Sequence, residues 1–136
     1  MFNYKKPSAM MLGRYQPWHA GHTELFRKAF NEIGQVVIMV RDVAGIIGND
    51  AGAGRTTLQN DNPFDFGTIN EQIIHSLGAQ GFENNVHYVI LNVPNIVDIS
   101  YGRDVGYTFT QHDLGSDIHK ISATAIRQQL RSDGKL

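Results

Sequence analysis

Cysteine is absent from the 136 residues, which removes disulfide frameworks, thiolate metal sites and cysteine nucleophiles together. An excess of one charge is absent too: twelve Lys and Arg stand against thirteen Asp and Glu, a formal net charge of -1. No whole-molecule basic field therefore recruits nucleic acid or an anionic membrane, and any anion site must be local. No apolar run approaches the roughly 20 residues of a membrane span, and the amino terminus lacks the apolar stretch of a secretory signal. These absences predict a cytoplasmic protein that meets neither membrane nor nucleic acid, with a homo-oligomer left open. A hydrophobic fraction of 41% over this length is enough for one domain with its own core, spanning 1–136.

Within those bounds, short apolar runs alternate with helical periodicity. "AMML" (Ala9 to Leu12) and "VVIMV" (Val36 to Val40) carry no polar alternation, as expected of strands covered on both faces. Between them Leu25, Phe26, Ala29, Phe30 and Ile33 recur at helical spacing, and Gly34 offers a left-handed stop. A second helix is expected after "NPFDF", with Asn62 as cap, Pro63 in the first turn and Ile69, Ile73, Ile74 and Leu77 on the buried face. "HYVILNV" (His87 to Val93) reads as a third strand, "NIVDISY" (Asn95 to Tyr101) as a weaker fourth and "YTFTQHD" (Tyr107 to Asp113) as a fifth. "SATAIRQQL" closes the chain as a helix capped by Ser122. The alternation predicts an α/β, Rossmann-like, doubly wound fold, with a mostly parallel sheet and helices on both faces.

The stretch from Asp42 to Asp61 has no periodicity and is rich in Gly, Asn and Asp. Its "GNDAGAGR" lacks the Gly-Lys-Ser/Thr ending of a phosphate-binding glycine loop. It reads as a surface loop, with closure over a substrate as the functional variant.

The informative stretch is "GRYQPWHAGH", Gly13 to His22, directly after the first strand. In a doubly wound sheet, ligands sit beyond the carboxyl ends of the strands, where the next helix presents free backbone N–H groups and the positive end of its dipole. His19 and His22 are three apart on one side of the first helical turn, and Gly21 between them lets a ligand approach the backbone. This pattern suits a phosphate clamp. A zinc site would also use His-x-x-His, but no third ligand stands at a diagnostic spacing, and a hydrogen-bonded structural pair is the plain alternative. Near the other end, Ser122 and Thr124 at a helix start supply hydroxyl and backbone donors, and Arg127 one turn on supplies a forked cation. A simple helix cap and a solvated arginine would look the same.

Together, "GRYQPWHAGH" and "ISATAIR" (Ile121 to Arg127) resemble the two signatures of the His-x-Gly-His nucleotidyltransferase superfamily, in the order found there. The superfamily includes the cytidylyltransferases and the nicotinamide mononucleotide adenylyltransferases, and the Gly-Arg-aromatic-Gln-Pro lead-in is more similar to the latter. The resemblance implies transfer of a nucleoside monophosphate from CTP or ATP to a small phosphorylated acceptor, with release of pyrophosphate. It implies catalytic roles for His19, His22 and Arg127, and nucleotide contacts from Gly13, Arg14, Tyr15, Gln16, Gly21, Ser122 and Thr124. It places the ribose and base near "YGRDVGY", against Gly102, Arg103 and Asp104. Mg²⁺ would be held chiefly by the nucleotide phosphates, with no protein metal ligand assigned. Cytidylyltransferases carry a lysine after the second strand; the segment from Asp42 to Asp61 has only Arg55, so Arg55 and the preceding Arg41 are the candidate acceptor-binding cations. A non-catalytic nucleotide-binding regulatory module and a metal-dependent hydrolase are the alternatives.

Overall fold

A computed structural model describes residues 1–47, 60–103 and 106–136. The first strand, β1 (Ala9–Gly13), leads into α1 (Ala20–Ile33) and then β2 (Val36–Arg41). Next come α2 (Phe66–Gly78) and β3 (Tyr88–Val93), followed by the single-turn α3 (Ser116–His119) and α4 (Ala123–Ser132). The three strands form one sheet in the order β1-β2-β3, parallel throughout, with Met11, Ile38 and Ile90 in register. This is the α/β, Rossmann-like class that the alternation of apolar runs and helical periods predicts.

Two crossovers that step in the same direction along a parallel sheet carry their helices to the same face. Met11, Val36, Ile38, Val40 and Tyr88 point to that face, where Phe26 and Ala29 of α1 and Ile69, Ile73 and Leu77 of α2 close one buried cluster with them. Phe26 is fully buried and meets Phe82 and Tyr88 edge-on, with ring centroids 4.9 and 5.6 Å away. Deleting such a ring costs about 3–5 kcal/mol, so α1 is fixed to the sheet largely through this residue. On the opposite face Met10 and Leu91 stay exposed. No helix of the described residues is long and apolar enough to cross a membrane.

Gly34 ends α1 in the left-handed conformation, at φ 106°, as expected. The start of α2 differs from expectation. Asp65 is its cap, accepting the Thr68 N–H at 2.8 Å, whereas Asn62 is almost fully buried and bonded elsewhere. Both residue types cap helices well, and Asn62 is drawn inward because its carbonyl side accepts from Arg14 and its amide donates to the Ile46 carbonyl. Asn95 to Tyr101 and Tyr107 to Asp113 are not strands. After Pro94 the chain turns, with the Ile96 N–H bonded to the Pro94 carbonyl at 2.7 Å, and that three-residue turn competes with strand initiation. The Tyr107 stretch joins no strand of the sheet and lines a cavity together with β1.

Candidate functional site

At the carboxyl end of β1 the chain doubles back before entering α1. Tyr15 adopts a positive φ of 52°, an uncommon state for a residue with a Cβ, and Gln16–Pro17 is cis. Gly13 is required here, because a Cβ on it would sit 2.9 Å from the Tyr15 ring. Gln16 is buried and bonds the Phe64 backbone twice, donating to its carbonyl at 2.8 Å and accepting its N–H at 2.9 Å. The turn is thereby tied to the chain just before α2.

His19 caps α1. Its Nδ1 accepts the Gly21 N–H at 3.0 Å, and its own N–H donates to Nδ1 of His22 at 3.1 Å, a reciprocal pair that satisfies two donors at the helix start. The imidazoles stack with centroids 3.8 Å apart and 23° between planes. Tyr15 meets the His22 ring edge-on at 4.9 Å, and Trp18 lies 5.2 Å from it. A Cβ on Gly21 would approach His19 Cε1 to 2.8 Å, so glycine is what leaves room for the stacked pair. Burial, and secondarily the neighbouring His19, pushes the His22 pKa down to about 3, and burial lowers that of His19. Both imidazoles are therefore neutral near pH 7. With each Nδ1 serving as an acceptor, the proton of each ring sits on Nε2. The result is two adjacent Nε2–H donors at the positive end of a helix, an arrangement suited to phosphate oxygens.

The carboxyl-terminal signature meets this turn. Ser122 caps α4 by accepting the Ala125 N–H at 3.3 Å. Arg127 is almost completely buried: Nη1 donates to the Gln16 carbonyl at 2.5 Å, and Nη2 lies 3.4 Å from Thr124 Oγ1 and 3.5 Å from the Asp61 carboxylate. Arg14 is also engaged, donating to Asn62 Oδ1 at 2.9 Å. Arg127 is thus not a solvated side chain but a buried tie between the two signatures.

A cavity of about 1150 Å³ opens along the free edge of β1, lined by Gly13 to Gln16, His22, Ala123, Tyr101 and residues 106–112. It thus brings together the ends of both signatures, and it lies at or above the ordinary range for small-molecule sites, roughly 300–1,000 Å³. Arg41 sits apart at the end of β2, bonded to Asn95 Oδ1 at 2.7 Å, with burial lowering its pKa. Gly102 and Arg103 are exposed beyond the cavity wall. Asp104 and Arg55 lie outside the described residues. Among the described residues no three His, Asp or Glu side chains converge as metal ligands. Sequence reasoning missed Asn62 and Phe64 as partners of the turn and Asp61 as the partner of Arg127; Asn-Pro signals a helix start equally well and says nothing of burial.

The stacked histidines thus stand at the carboxyl edge of a parallel sheet, at the first strand-to-helix turn of an α/β, Rossmann-like fold. No family model matches it. It is similar to the nicotinamide-nucleotide adenylyltransferase of Methanococcus aeolicus, 30% identical over 82 residues, which are 60% of this chain and 40% of the relative. The enzymes of the same name from Pyrococcus furiosus and Pyrococcus horikoshii are 25% and 26% identical over 87 residues, 64% of this chain. In each case the match covers 40% of the relative's length.

Proposed function

We propose that this chain is a nucleotidyltransferase that moves a nucleoside monophosphate from a triphosphate to a small phosphorylated acceptor and releases pyrophosphate. The observation that carries the reading is the stacked pair of neutral imidazoles at the start of α1, of which His22 lines the same cavity as Ala123 in the first turn of α4. ATP is the proposed donor and a nicotinamide mononucleotide the proposed acceptor, on the strength of the similarity to the archaeal adenylyltransferases; CTP is the next candidate.

An acceptor phosphate oxygen attacks the α-phosphorus, the bond from that phosphorus to the bridging oxygen breaks, and pyrophosphate leaves with the bonding pair. No side chain forms a covalent bond. His19 and His22 donate to the oxygens on which charge accumulates, the α4 start adds backbone N–H groups, and Ser122 and Thr124 add hydroxyls. A Mg²⁺ would be held by the triphosphate's own oxygens and would offset part of their charge. Arg14, Tyr15, Gln16 and Gly21 shape the turn, Gly102, Arg103 and Asp104 are proposed at the ribose and base, and Arg41 and Arg55 at the acceptor. A calorimetric titration with Mg·ATP, Mg·CTP and AMP tests the reading: a triphosphate must bind, and binding of none of them overturns it.

A further inference from the structure

Three arginines from two ends of the chain converge on three consecutive residues. Arg131 donates to the Asn60 carbonyl, Arg127 pairs with the Asp61 carboxylate, and Arg14 donates to Asn62 Oδ1. Arg127 is only 1% exposed, and a guanidinium taken that far from water needs an anion beside it, since an unpaired buried charge costs several kcal/mol. Asp61 supplies that anion. The dependence is one-sided: the Asp61 side chain is 14% exposed and has water available. Their contact, 3.5 Å, is also longer than the roughly 2.7–2.9 Å of a well-formed charge-assisted hydrogen bond. Nη1 is committed to the Gln16 carbonyl, and the Asp61 contact is made at Nη2, next to the Thr124 hydroxyl.

We propose that the Asp61 carboxylate is a built-in stand-in for phosphate, occupying Arg127 until the outer phosphates of a triphosphate displace it. This rests on the nucleotidyltransferase reading of the site. The exchange makes Asp61 a specificity residue: every ligand that reaches Arg127 must displace the carboxylate, whereas a monophosphate that does not reach it is unaffected. It also keeps the guanidinium paired, and the two signatures joined, when no nucleotide is bound.

The test is calorimetric titration of Mg·ATP, inorganic tripolyphosphate and AMP into the whole protein and its variants. Asp61→Asn is expected to tighten ATP and tripolyphosphate about tenfold, within the range of ordinary coupling between competing ligands, and to leave AMP unchanged. In an Arg127→Ala background the same substitution is expected to do nothing, which separates a contact at Arg127 from a general loss of negative charge. Equal or weaker triphosphate binding by Asp61→Asn, with the wild type binding normally, overturns the exchange and leaves the proposed function standing. No triphosphate binding by any form overturns both. The wild type gives an independent reading: the side-chain carboxyl ¹³C resonance of Asp61 is expected to shift on saturation with tripolyphosphate but not with AMP, and a resonance unmoved by either contradicts the displacement.

Discussion

Arg127 donates to the backbone carbonyl of Gln16 at 2.5 Å, across 111 positions of sequence. That one bond fastens the carboxyl-terminal helix to the turn that carries both histidines. The residue whose sequence context suggests a phosphate ligand is therefore also part of what holds the site together.

Its removal has two effects that must be measured separately. Arg127→Ala leaves the Gln16 carbonyl and the Asp61 carboxylate without their partner, and a destabilisation of about 3 kcal/mol is expected. This is the low end for a buried pair, because Asp61 is close enough to water to be rehydrated. Urea unfolding checks it; a change below about 0.5 kcal/mol, typical of a surface substitution, would remove Arg127 from the framework.

Gly21→Ala inverts an ordinary expectation. Within a helix this change gains about 0.5–1 kcal/mol. Here the new Cβ meets His19 at 2.8 Å and forces the imidazole off its stack. The expected result is no gain in melting temperature and a loss of about tenfold in tripolyphosphate affinity, the worth of about one hydrogen bond to a charged group. A more stable variant with unchanged affinity would separate the stacked pair from phosphate binding.

The pH dependence follows from the depressed His22 pKa. In the unfolded chain His22 takes up a proton below its ordinary value of 6.5, whereas in the folded protein it does so only near 3. Protonation between those values therefore favours unfolding, and stability is expected to fall as pH drops through that window, by at most about 1.4 kcal/mol per pH unit from this residue. His19, shifted the same way by burial, adds to the slope. His22→Asn, which keeps an acceptor for the His19 N–H, should flatten the profile. Parallel profiles for the two proteins would contradict the burial argument.

The parts legible in the sequence were those fixed by local pattern. Val36 to Val40 is a continuous apolar run because β2 lies in the middle of the sheet, and Gly34 stops α1 because its φ of 106° is one that glycine adopts without strain. His19 and His22 stood out because spacing alone puts them on one helical turn. What failed depends on contacts distant in sequence. Asn62 and Asp65 are equally good caps, and the choice is made by Arg14, 48 residues away. Ile96, Val97 and Ile99 look like a strand, yet the turn at Pro94 redirects them and Val97 and Ile99 remain exposed. The burial of Arg127 depends on Gln16 and Asp61, and no periodicity within "SATAIRQQL" encodes either.

The central claim is transfer chemistry at the stacked imidazoles, and its most direct test is pyrophosphate release. Protein with Mg²⁺, ATP or CTP, and nicotinamide mononucleotide or a panel of other phosphorylated acceptors should release one pyrophosphate for each nucleotide joined. The account predicts that His22→Asn, compared at equal folded fraction, slows this release about 10²–10³-fold, as expected when a donor to developing oxyanion charge is removed. No pyrophosphate from either triphosphate with any acceptor, or an undiminished rate in His22→Asn, would contradict it.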